Sequence, residues 1–199
     1  MLLISFLAFI SVGLGSIGYF ILLIGHILVV PLLVSLSNGL YKKVAKPVIP
    51  PATDVLFLVP KTTDVGNPQF FPSYWMGHIT FFFGYLISNA VDLMNIESPK
   101  GVSEMMVDNR VLKAKTLIAV LSLMLVALVV LRYRLTGVET LPGVGLSLGT
   151  FLAGVLWYSF AGLCGARASD IFGVAQQMLP SSATAKAAIT CAYNPAPPS

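Results

Sequence analysis

Four polar side chains in one apolar stretch are spaced for a shared helical face: His78, Tyr85, Asn89 and Asp92. At 100° per residue, separations of seven, four and three residues put them on a single stripe. Gly77, Gly84 and Ser88 form an adjoining stripe of small side chains. A histidine and an aspartate titrating at opposite ends of such a line are the parts of a proton or ion path. The simpler chemistry is mutual hydrogen bonding between helices, because polar groups in lipid require partners. Transport sites usually add charges on a second span, and no other span core here carries one. The joining role is therefore the primary expectation. His26 is the only other histidine. If the first loop returns His26 and His78 to one leaflet, the pair has the ligand types to hold a haem. A buried histidine more commonly only hydrogen-bonds.

Other patterns lose their chemical meaning in context. Gly13-Leu-Gly15-Ser-Ile-Gly18 matches the dinucleotide fingerprint by letter. That chemistry needs a preceding strand and an acidic residue about 20 positions on, and the first acid is Asp54. Small residues at this spacing bring helices close together instead. The same holds for Gly145, Gly149 and Ala153, the packing ridge expected of the last span. No H-E-x-x-H, C-x-x-C, G-x-S-x-G or G-K-[ST] pattern occurs, and paired acids across spans are missing. The expectation is a protein that is not an enzyme and carries no catalytic residue, cofactor or metal. Cys164 and Cys191 could form a disulfide pinning the tail, but a spacing of 27 positions does not establish one, and free thiols are the expectation.

The elements that must position these residues follow from where the charges fall. Hydrophobic residues make up 56% of the 199-residue chain and charged ones 10%, against about 25% charge in a soluble domain. That excludes a soluble enzyme, a nucleic-acid reader and a disordered chain. It predicts an all-α membrane protein of about four transmembrane helices, with an ordered extramembrane loop and an extended C-terminal tail. Residues 1–41 contain no charge. One long helix over about 2–34, with Pro31 kinking its end, is expected there. A hairpin turning near 13–18 is the alternative. The stretch lacks the basic n-region and cleavage site of a signal peptide.

Lys42, Lys43 and Lys46 then open a Pro-rich extramembrane loop, 42–75, suited to lipid headgroups or a protein partner. Its end is aromatic (Phe70, Phe71, Tyr74, Trp75), as at a membrane interface. Pro72 fits the first turn of the helix that follows. The second span is expected over 73–96. A solvated connector, 97–112, leads to a third span with an uncharged core of 116–131, where Lys113, Lys115, Arg132 and Arg134 can snorkel. The fourth span lies within the charge-free run 140–166. From Arg167, a second headgroup or partner contact, a tail of small residues and proline runs to 199. Its composition provides no core of its own over 181–199. Orientation does not follow from the positive-inside rule, because six Lys and Arg fall on each face.

Two segments add a resemblance. Phe71-Pro-Ser-Tyr-Trp-Met-Gly-His-Ile-Thr-Phe-Phe-Phe-Gly-Tyr-Leu-Ile-Ser-Asn-Ala90 and Gly165-Ala-Arg-Ala-Ser-Asp-Ile-Phe-Gly-Val-Ala-Gln-Gln-Met-Leu-Pro180 resemble small multi-span membrane proteins of large icosahedral DNA viruses of algae. The resemblance implies a virion protein in the internal membrane beneath the capsid, and carries no catalytic residue with it. The expected function is a structural anchor tying that membrane to capsid or neighbouring proteins. Its partners would be the bilayer and other structural proteins, reached through the 42–75 loop and the 167–199 tail. Two other functions compete: a small transporter or channel using the polar stripe, and an accessory subunit of an energy-transducing complex.

Overall fold

The computed structural model describes residues 6–9, 13, 17–44, 72–96, 104–136, 139, 141–164 and 171. Every regular element among them is helical. Three helical stretches are long and apolar enough to cross a membrane: Ile17–Leu40, Val107–Arg134 and Leu141–Leu163. The Pro-rich loop from 45 to 71 and nearly all of the tail lie outside the described residues.

The first stretch comprises α1 (Ile17–Ile24), a π-helical segment (Gly25–Val29) and α2 (Val30–Val44). Pro31 accounts for the interruption. It has no N–H to donate, and in a straight α-helix its ring meets the carbonyl four residues earlier. The wider turn before it relieves that clash. There the Val30 N–H bonds to the Gly25 carbonyl, five residues back, and Pro31 cannot supply the next bond. Pro31 thus sits within a continuing helix, not at its kinked end, and the helix passes the expected limit at 34. Residues 6–9 and 13 are also helical. The choice between one long helix and a hairpin falls on 10–12 and 14–16, outside the described residues.

Helix α3 (Tyr74–Asn95) lies within one residue of the expected 73–96 at each end. Ser73 caps it: the backbone there is extended, and its hydroxyl accepts from the Met76 N–H at 3.2 Å. Pro72 stands one residue before the cap instead of in the first turn. Removing the hydroxyl with Ser73→Ala should lower stability by about 1–2 kcal/mol. Thermal unfolding of the detergent-solubilised protein reads this directly, with Ser73→Thr, which keeps the hydroxyl, avoiding most of the loss.

Helix α4 (Glu104–Thr136) is longer than expected, because the segment 104–112 is helical and not a loop. Nothing in it breaks a helix, and Glu104 in the first turn and Arg134 in the last both suit the macrodipole. Its 33 residues span about 50 Å, against about 30 Å of hydrocarbon, so some turns must extend beyond the apolar layer. Lys113 and Lys115 are exposed on the N-terminal part. Helix α5 (Leu141–Leu163) falls inside the expected 140–166.

Helix α3 is the hub. It packs most extensively on α5, then on α4, and touches α2 and the π segment as well. It buries Met76, Phe81, Phe83, Tyr85, Leu86, Ala90 and Leu93. Most of α4 faces outward, with Val120, Leu123, Met124, Val126 and Val130 exposed as a lipid-facing helix requires. The α3–α5 crossing depends on Gly84 and Gly154. A Cβ on Gly84 would overlap the Phe151 carbonyl, and one on Gly154 would overlap the Phe81 carbonyl.

This corrects the expected ridge on α5. Gly145 and Gly149 are exposed, with nothing within 4 Å of where a Cβ would stand. Ala153 is half-buried against the core. The buried stripe is Gly143, Ser147, Thr150, Gly154, Tyr158 and Ala161. Helix α5 carries small residues on two faces, and the face with hydroxyls turns inward because only there do those hydroxyls meet α3.

Candidate functional site

The polar residues that sequence placed on α3 do share one side of it, and each meets a neighbouring helix. His78 contacts His26 of the π segment, Nδ1 to Nδ1, at 2.9 Å. Tyr85 is fully buried, and its hydroxyl donates to the Gly18 carbonyl of α1 at 3.0 Å. The Tyr158 hydroxyl of α5 donates to Asp92 Oδ2 at 2.8 Å and accepts from Asn89 Nδ2 at 3.2 Å. Tyr85 and Tyr158 meet edge to face, with centroids 5.2 Å apart. The bonds therefore run across from helix to helix, to α1, the π segment and α5, instead of forming a line along α3.

Several partners were not singled out from sequence. Thr80 and Thr150 bond hydroxyl to hydroxyl at 2.6 Å, and the one that accepts there donates to a carbonyl of its own helix, Met76 for Thr80 or Ser147 for Thr150. The Trp157 indole N–H donates to the Ile21 carbonyl at 2.8 Å. The spacing of Ser147, Thr150, Gly154 and Tyr158 on α5 carried the missing signal: polar and small residues at helical period, facing a matching stripe. Interhelical bonds of this kind average about 0.6 kcal/mol in membranes. Thr80→Val should therefore cost only about 0.5–1.5 kcal/mol, and Tyr158→Phe should cost more, because it removes one bond from Asn89 and one from Asp92 together. Unfolding in detergent micelles, compared across the two variants, tests that order.

A second cluster closes the end where α3 begins, α4 ends and α5 begins. Glu139 accepts from the Ser73 hydroxyl and lies 3.6 Å from Arg132 Nε. The Arg132 guanidinium lies over the Trp75 ring, 5.1 Å from its centroid. Both charged side chains are buried, 6% and 1% exposed. Arg132 therefore does not snorkel as expected, because Glu139 and Trp75 supply partners inside. Of the residues expected to meet headgroups or partners, Lys46 and Arg167 lie outside the described residues, as do the side chains of Lys42 and Lys43. Cys164 is an exposed free thiol at the end of α5, and Cys191 falls outside the described residues.

The histidine pair is the most unusual feature. His26 has no exposed surface and lies against Phe81 and Phe82, at centroid distances of 5.2 and 6.1 Å. Its Nε2 is buried with no hydrogen-bond partner among the described residues. A buried unpaired polar atom costs about 1–3 kcal/mol, so its persistence in the interior calls for an explanation. The direct Nδ1–Nδ1 contact leaves no slot for a porphyrin between the rings, so the haem arrangement does not fit this geometry. Among the described residues, no group of three or more His, Cys, Asp or Glu side chains is placed to hold a metal ion. Comparison with family models, curated proteins and solved structures found no match to this chain.

Proposed function

We propose that this chain is a structural, non-enzymatic integral membrane protein, a four-helix anchor that presents its 42–75 loop and 167–199 tail to neighbouring proteins. The observation that carries this reading is how the α3 polar side chains are used. His78, Tyr85, Asn89 and Asp92 each bond to another helix. These bonds support the joining role expected of the stripe.

The same observation supports α3 as a fourth crossing. Its 22 residues reach about 33 Å, and its polar face turns to helices, so its lower hydropathy is no bar to lipid. The mechanism of such an anchor is mechanical. Spans fix position in the bilayer, while loop and tail each add a contact, and the joined contacts bind with avidity. The resemblance of 71–90 and 165–180 to virus membrane proteins supports a specific setting: the internal membrane of an icosahedral virion, tied to capsid proteins above it.

Deleting 181–199 tests the anchor. Membrane insertion, read by carbonate-resistant sedimentation, should persist, while co-assembly with neighbouring structural proteins should fall at least tenfold, the ordinary scale of a lost second contact. Normal assembly of the truncated protein overturns the docking role of the tail.

A further inference from the structure

Side-chain contacts fix the direction of every helix in the bundle, and with it the end from which each docking segment leaves. Along α3, successive partners on α5 advance with it: Thr80 meets Thr150, and Asn89 meets Tyr158. These two helices therefore run the same way. Partners on the first stretch recede instead, since His78 meets His26 and Tyr85 meets Gly18. That stretch runs opposite to α3. Helix α4 is antiparallel to α3 as well. Arg110, near its start, donates to the Ile96 carbonyl just past the end of α3, while Arg132, near its end, lies over Trp75 at the start of α3.

The alternation gives the bundle two ends. The last residue of α2, Val44, and the first residues of α3 and α5 share one of them, so the chain between Val44 and Pro72 is attached there at both sides. The last residues of α3 and α5 share the other. Ile171 shows that the tail is rooted at this second end. Shortly past Cys164 it is buried, and its carbonyl accepts from the Tyr19 hydroxyl of α1 at 2.7 Å. Tyr19 follows Gly18, the partner of Tyr85, near the start of the first stretch. The bond ties the tail root to the first helix as well as to α5. Neither 45–71 nor 172–199 contains the run of about 20 apolar residues that a further crossing needs.

We propose that the anchor is two-sided: the 42–75 loop docks a protein on one face of the bilayer, and the 167–199 tail docks a different protein on the opposite face. The proposal rests on the anchor reading, with α3 as a crossing, and adds sidedness to it. The 22 residues of α3 hold the two ends about 33 Å apart, a full hydrocarbon thickness. A partner confined to one face therefore reaches only one of the segments. Their contacts add together only within an assembly that has protein on both sides of the membrane.

Sealed membrane vesicles carrying the full-length chain with Thr62→Cys and Cys164→Ser test this. Such a chain has two thiols, one introduced in the loop and the native Cys191 in the tail. A membrane-impermeant polyethylene-glycol maleimide should add one tag per chain in intact vesicles, read as a single gel shift, and two tags after permeabilisation. Because both thiols belong to one chain, this result is the same whichever way individual chains insert. Two tags in intact vesicles overturn the proposal. So do chains that stay untagged until permeabilisation and then gain two. Resistance to carbonate extraction confirms insertion in each case. A same-side result leaves the docking roles of loop and tail standing, and the 181–199 deletion tests those separately.

Discussion

Gly84→Ala is expected to be among the most destabilising single-methyl changes in this protein. The added Cβ meets the Phe151 carbonyl, a backbone atom that no rotamer change can move. Overpacking usually costs about 1–3 kcal/mol, and a clash with backbone belongs at or above the top of that range. Gly154→Ala should behave alike, because its Cβ meets the Phe81 carbonyl at the same crossing. The double variant should cost less than the sum, since one separation of α3 from α5 makes room for both methyls. Gly145→Ala and Gly149→Ala are the controls: both positions are open, and each should change stability by less than about 0.5 kcal/mol. Reversible unfolding in mixed micelles reads all five variants. Equal effects at Gly84 and Gly145 would contradict the crossing described here.

Arg132→Met is expected to have the other large effect. It leaves the Glu139 carboxylate, 1% exposed, with its charge uncompensated beside the Ser73 hydroxyl. Breaking a buried pair from one side costs about 3–5 kcal/mol. Adding Glu139→Gln should recover a large part of that loss, because the stranded charge goes with it. The dependence on salt should be weak, as expected of a pair shielded from solvent. Thermal midpoints of the single and double variants at low and high salt check both statements. A single variant as stable as the parent would show that the Glu139 charge does not depend on Arg132.

The sequence marked α3 well because its signals agree. A polar stripe at period 3.6, an aromatic border and Pro72 beside it all pointed to a helix over 73–96, and α3 occupies Tyr74–Asn95. The helical, membrane-spanning character of the chain was equally legible from the placement of its charges. The α5 packing face was not, since Gly145–Gly149 and Ser147–Gly154 are both small-residue patterns on one helix. Only the partner decides between them, and the partner is the α3 face of Thr80, Gly84, Asn89 and Asp92. The π segment depends on Pro31 lying inside a helix, whereas a local reading of proline places it at a helix end. The Arg132–Glu139 pair is invisible locally, because it joins the end of one helix to the start of the next beneath an aromatic ring from a third. The His26–His78 contact was foreseen only as a shared leaflet, and it depends on how the π segment meets α3.

Ion flux through reconstituted liposomes tests the central claim, that the α3 stripe joins helices and conducts nothing. Vesicles containing the protein should match empty vesicles for proton and alkali-cation flux under an applied gradient. Asp92→Asn should leave that baseline unchanged while lowering bundle stability. A flux in the parent protein that Asp92→Asn abolishes would contradict the claim and make the stripe a path.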